Sequence, residues 1–297
     1  MNAVRVDAYA KLNLLLRVLA READGYHGIE TLFALIDLHD TVVAERREGH
    51  EVTLDVDGSD DLGPVEQNLA VRAARRVLDA TGRRFGVHLR LTKRIPVQAG
   101  LGGGSSDAAA SLIAVNHLAD DAVPRHELLQ FGAALGADVP FLVSGAPLAL
   151  GWGHGERLLR LPPLPAAPAL LLTPATGVGT AEAYGWVDAA RHSAGRRGAL
   201  ALDLDSLASW GSIGRMAGND FESAVFGKLP AVRAAFEALV GTRPLVCRMT
   251  GSGSTLFAIY RNARDRDDAA AMLGRKHGAV HPVATLASPP MGPTALP

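Results

Sequence analysis

The chain has 297 residues, more than one minimal core requires, and a prior of about 150 residues per domain points to two domains. Hydrophobic residues at 48% and charged residues at 21% describe an ordinary globular protein and exclude disordered and fibrous classes. Lys plus Arg number 30 against 31 Asp plus Glu, a formal charge of -1, so no basic excess points to nucleic acid or an anionic membrane.

The opening stretch, MNAVRVDAYAKLNLLLRV, carries Arg5, Asp7 and Lys11 and has no clean apolar signal-peptide core. No run approaches about 18 apolar residues, so no membrane span is expected. The single cysteine, Cys247, reads as a small buried hydrophobe without a disulfide partner, and the expected setting is the cytoplasm.

Residues 4–18 predict a strand or strand pair interrupted by Lys11, a polar loop follows over 21–28, and apolar strand-compatible residues resume at Ile29. EVTLDV at 51–56 is a third strand candidate. Asn68 reads as the N-cap of a helix ended by Gly82, and strict alternation over 85–92 predicts a half-buried strand. Helices are expected over 107–119, capped by Ser105 or Ser106, and over 124–136. Prolines and glycines over 151–169 suggest a domain crossing. Beyond it, strand, helix, paired strands, helix and strand suit a small α/β sandwich, with residues 190–215 too irregular to assign. The expected class is α+β, with an N-terminal domain over 1–153, a C-terminal domain over 154–286 and a disordered tail over 287–297.

Between the predicted strand and helix lies PVQAGLGGGSSDAA, residues 96–109. A strand, a glycine loop and a helix start aim backbone N–H groups and a positive helix end at an anion, and phosphate is the natural guest. The loop is neither a P-loop, since no lysine follows Gly104, nor a dinucleotide fingerprint, since Ser105 stands where a glycine is needed. The hydroxyls of Ser105 and Ser106 suit phosphate oxygens or Mg²⁺, and equally suit helix capping. Lys93 faces either phosphate or adenine, or stands in solvent.

Lysine occurs only at Lys11, Lys93, Lys228 and Lys276, which makes each less of a surface filler. Lys11, flanked by apolar residues, needs an anionic partner or ligand, and Asn13 shares its strand face. Asp138, in LGADVPF between a helix stop and Pro140, is the candidate partner, placed to accept or orient a hydroxyl proton during phosphoryl transfer. MTGSGSTLF over 249–257 is a second glycine loop or a hairpin turn, and DGYHG offers Tyr26 and His27 for stacking on and hydrogen bonding a base.

PVQAGLGGGSSDAA resembles the phosphate-binding motif of the GHMP kinases, AKLNLLL their N-terminal motif and TGSGSTLF their C-terminal one, in the family's order. ADGYH, EQNLAVRAA, LGADVPF and GNDFE resemble the branch that takes a cytidyl-bearing alcohol. The resemblance implies an N-terminal domain like ribosomal protein S5 domain 2, a ferredoxin-like C-terminal domain, and an active site between them. It implies an ATP-dependent small-molecule kinase using Mg²⁺, for which it supplies no protein ligand. Lys11 and Asp138 would be its catalytic pair. Pro96, Ala99, Gly100, Leu101, Gly102, Gly103, Gly104, Ser105 and Ser106 would wrap the ATP phosphates, with Asn68 near adenine and Lys93 beside the nucleotide. Asn13 would lie beside the substrate, and Tyr26, His27 and Tyr184 would hold its cytosine. A homoserine- or mevalonate-type kinase and a non-catalytic ligand-binding relative are the rival readings.

Overall fold

The computed structural model describes residues 2–23, 25–58, 62–191 and 202–296. Residues 192–201, within the unassigned 190–215 stretch, lie outside it. The chain opens with a long antiparallel hairpin of β1 (Ala3–Arg21) and β2 (His27–Arg47), so 4–18 is one strand and not a pair. Alternation along β1 decides where it is buried. Val4, Val6 and Ala8 enter one core, Leu12 and Leu14 a second, and Leu16 and Val18 a third. Lys11 and Asn13, on the opposite row, are buried polar residues that the fold must satisfy by hydrogen bonding.

Next, β3 (Val52–Asp57), α1 (Leu69–Ala80) and β4 (Gly86–Thr92) form a parallel β-α-β unit. Asn68 caps α1 as expected, its side chain accepting from the Ala70 N–H at 2.9 Å. α2 (Gly103–Leu118) starts earlier than the sequence predicts: Gly102, in the left-handed region at φ 74°, precedes its first turn, and neither serine caps it. α3 (Arg125–Leu135) and the short α4 (Val139–Ser144) pack against α2. The hairpin of β5 (Leu148–Gly153) and β6 (Arg157–Arg160) then joins the edge of β2, so the expected division after residue 153 falls inside a hairpin.

The second half runs β7 (Pro168–Thr173), α5 (Thr180–Arg191), α6 (Trp210–Met216), β8 (Gly218–Asn219), α7 (Glu222–Lys228), α8 (Pro230–Val240), β9 (Val246–Met249), β10 (Leu256–Ile259), α9 (Ala263–Leu273) and β11 (Ala279–Ala284). Its sheet, ordered β11-β7-β10-β9 and antiparallel throughout, has the connectivity of a ferredoxin-like sandwich. Both faces are covered: Ala169, Leu171, Phe257 and Ile259 meet Leu12 and Leu14 of β1, while Leu170, Leu172, Leu256 and Ala258 meet the helices. This explains why ALLL and LFAI read as unbroken apolar runs.

Part of the tail expected to be disordered forms a strand. β12 (Thr294–Leu296) pairs with Ala3–Arg5, satisfying backbone groups on an otherwise open edge. The first sheet thus runs β12-β1-β2-β4-β3, with β5 and β8 branching from β2 and β1. Among the described residues no helix is long and apolar enough to cross a membrane.

Candidate functional site

One cleft of about 610 Å³ is lined by Lys11, Asn13, Asn68, Lys93, Pro96, Ala99 to Ser105, Asp138 and Tyr184. The sequence motifs therefore converge. At its floor the Lys11 Nζ donates to Asn13 Oδ1 at 2.6 Å and to the Gly100 carbonyl at 3.0 Å, and lies 3.4 Å from Asp138 Oδ2. Lys11 is buried, whereas the Asp138 side chain is 27% exposed, so the carboxylate is the member of the pair that a ligand can meet.

Two glycines are fixed by close approach. A Cβ on Gly102 would lie 3.0 Å from Lys11 Cγ, and one on Gly100 would lie 2.4 Å from the Thr250 carbonyl oxygen. Both have φ near +75°, at 74° and 76°, where side chains are strained. The first i to i−4 bond of α2 runs from the Ser106 N–H to the Gly102 carbonyl, which leaves the N–H groups of Gly103, Gly104 and Ser105 unspent at the positive end of the helix. These three residues line the cleft.

The two glycine loops meet through Asn13. Its Oδ1 accepts from the Gly251 N–H at 2.9 Å, its Nδ2 donates to Thr31 Oγ1 at 2.8 Å, and its own N–H donates to Thr250 Oγ1 at 3.1 Å. Asn219 holds the second loop from behind, donating to the carbonyls of Met249 and Gly251 at 2.7 and 2.8 Å. Asn13 is therefore bound into the scaffold and anchors Lys11, a tighter role than the expected place beside a substrate.

Lys93 also departs from expectation. Its ammonium is buried between Asp40 and Asp107, 2.6 Å from Asp107 Oδ2, and neither stands in solvent nor points freely at a nucleotide. A buried cation flanked by two carboxylates satisfies the desolvation demand that the sequence alone could not assign to partners. Asp40 also accepts from the N–H groups of Arg94 and Ile95, so several donors meet its charge. Asp107 has less support: burial pushes its carboxyl up to about 7 against the pull of Lys93, with Asp40 raising it further, and its Oδ1 has no partner.

Ser106 is turned away from the cleft, donating to the Tyr9 carbonyl at 2.7 Å, because the first turn of α2 rotates it onto β1. Neither Tyr26 nor His27 lines the cleft. His27 stacks on Tyr184 at 5.1 Å and its Nε2 lies 2.8 Å from Asp188 Oδ1, while the exposed Tyr26 ring lies 5.4 Å from that of His154, which lines the cleft. Asp40, Asp107, Asp188, His154 and Asn219 were not foreseen as site residues. The signal for Asp40 was a carboxylate inside an apolar strand, and for Asn219 the GNDFE stretch itself. Cys247 is a free thiol that burial pushes up, in keeping with a packing role.

A helix start with unspent N–H groups, a lysine–carboxylate pair and a second glycine loop come together in this cleft. Residues 68–146 match the GHMP kinases N terminal domain and residues 199–280 the GHMP kinases C terminal. The chain belongs to the GHMP kinases, and ATP is the phosphoryl donor of this family of small-molecule kinases. It is 42% identical over 271 residues to the 4-diphosphocytidyl-2-C-methyl-D-erythritol kinase of Moorella thermoacetica, covering 87% of this chain and 90% of that one. The protein of the same name from Solibacter usitatus is 40% identical over 261 residues, 86% of this chain and 80% of that one. A crystal structure of 4-(cytidine 5'-diphospho)-2C-methyl-D-erythritol kinase superposes with a TM-score of 0.77 at 34% identity, covering 94% of this chain and 98% of that chain. A homoserine kinase from Cytophaga hutchinsonii shares the fold at a TM-score of 0.69 and 20% identity, over 99% of this chain and 97% of that one.

Proposed function

We propose that the chain transfers the γ-phosphoryl group of ATP to the 2-hydroxyl of 4-diphosphocytidyl-2-C-methyl-D-erythritol, giving the 2-phosphate and ADP, in cytoplasmic isoprenoid precursor biosynthesis. The observation that carries this reading is the Lys11–Asp138 pair, 3.4 Å apart beside the open N-terminus of α2, in a chain with the sequence likeness described above. The N–H groups of Gly103, Gly104 and Ser105 receive phosphate oxygens, and Asn68, at the cap of α1, lies at the adenine end.

The substrate hydroxyl oxygen bonds to the γ-phosphorus as the bond from phosphorus to the bridging oxygen breaks, and ADP leaves with that electron pair. The hydroxyl proton passes to Asp138 and then to water. A loose transition state demands little early proton transfer. Orientation of the hydroxyl and charge stabilisation thus dominate.

Mg²⁺ neutralises phosphate charge in such reactions. Among the described residues no group of three or more His, Cys, Asp or Glu could hold a metal, and Ser105 and Asp138 are cleft residues whose side-chain oxygens would face such an ion. Tyr184 supplies a stacking face for cytosine, and Asp188 fixes the orientation of His27 behind it. Tyr26 sits at the outer rim of this base subsite.

The test is ADP release with the cytidyl substrate, homoserine and mevalonate offered separately. Turnover on the first alone is expected. Comparable turnover on either small acid overturns the assignment.

A further inference from the structure

On the far side of α2 from the phosphate loop lies a second cavity of about 660 Å³, which the proposed reaction leaves unused. Ala109, Ala110 and Ile113 of α2, Leu128 of α3, and Leu142 and Val143 of α4 give it apolar walls, and the tail over 289–293 closes one side. At its rim Arg125, the first residue of α3, and Arg160, the last of β6, both donate through Nη2 to the single carbonyl oxygen of Ser144.

That oxygen belongs to the last residue of α4, and a helix C-terminus favours a cation. A second guanidinium on the same oxygen adds like-charge repulsion without adding an acceptor. Neither arginine has a carboxylate partner among the described residues. The carboxylates that share the cavity wall are engaged elsewhere, Asp7 with Arg5 at 2.9 Å and Asp121 with His117 at 3.0 Å. An apolar cavity of ligand size with two convergent, under-used guanidiniums at its mouth matches a molecule with an apolar body and an acidic head.

We propose that this cavity is a second ligand site for a small amphipathic anion, its apolar body between α2, α3 and α4 and its acidic head on Arg125 and Arg160. The site adjoins the catalytic machinery through packed groups. Ser106 lines it and donates to the Tyr9 carbonyl at 2.7 Å, while Ser105 opens into the nucleotide cleft and Lys11 follows Tyr9 on β1. An occupant that shifts α2 therefore acts on both the phosphate loop and Lys11.

The test is calorimetric titration of the full chain with its nucleotide cleft filled by a non-hydrolysable ATP analogue. Octyl phosphate, octanoate, octanol and inorganic phosphate are the probes. Binding of either acid supports the site and the tighter one names the head group, with octanol weaker by about ten-fold or more and inorganic phosphate silent. The double variant R125Q/R160Q, altered only at exposed positions, should weaken the acid by about ten-fold or more while kcat and the KM for ATP stay unchanged. Ile113→Trp, which fills the cavity, should abolish binding. Failure of both acids to bind, equal binding to the arginine variant, or octanol binding as tightly as the acids overturns the proposal. No turnover is measured in the titration, so the outcome stands apart from the kinase assignment.

Discussion

Lys11 Nζ stands 3.4 Å from Asp138 Oδ2 while donating at 2.6 Å to Asn13 Oδ1, so the ammonium is held by the scaffold and faces the carboxylate from a fixed position. Asp138→Asn keeps the shape and removes the charge. We expect kcat to fall by about 10²- to 10⁴-fold with the KM for ATP changed by less than about two-fold, measured by steady-state ADP release. Retained turnover removes Asp138 from its role.

The loop glycines separate by geometry. Gly100→Ala would push a Cβ to 2.4 Å from the Thr250 carbonyl oxygen at φ 76°, whereas at Gly104 the nearest atom is Leu69 Cδ1 at 3.8 Å and no positive φ is present. The first change should destabilise the protein by about 1–3 kcal/mol, and the second should stay within about 0.5 kcal/mol. Thermal unfolding of the two variants side by side checks this, and equal melting temperatures contradict it.

Asp107 gives the fold a defined pH dependence. Its carboxyl is raised from 3.8 to about 7 in the folded chain, first by burial and then by Asp40, so between those values the native state binds the extra proton. Its contribution to stability is thus complete below about pH 4 and is lost as the pH rises toward 7. In Asp107→Asn this loss disappears. Urea unfolding at pH 4.5 and pH 7.5 should show the variant gaining on the parent by a few kcal/mol across the interval. A constant difference contradicts the assignment.

Tyr184→Leu should raise the KM for the cytidyl substrate by about three- to ten-fold, the worth of one stacked ring, and leave the KM for ATP unaltered. An equal rise for both substrates shows instead that α5 has shifted as a whole.

What the sequence revealed and what it hid follow the range of the interactions involved. The Asn68 cap, the strands over 52–57 and 86–92, and the ALLL and LFAI strands rest on near neighbours and on burial, and were legible as such. The Lys11–Asp138 pairing was inferable because a lone lysine among apolar residues needs an anion. Asp40 and Asp107 are 53 and 14 residues from Lys93, and nothing local singles them out as its partners. Neither serine caps α2 because the left-handed Gly102 starts the helix early, and its first turn carries Ser106 onto β1 while Ser105 stays in the cleft. β12 escaped notice because a proline-rich tail offers no periodicity, and its strand exists only through the edge of β1.

The most direct measurement of the central claim is the ³¹P NMR spectrum of the product formed from ATP and 4-diphosphocytidyl-2-C-methyl-D-erythritol. One new phosphomonoester signal is expected, coupled to the 2-carbon of the erythritol and formed in equal amount with ADP. A phosphate on any other hydroxyl, or ADP released with inorganic phosphate alone, would contradict it.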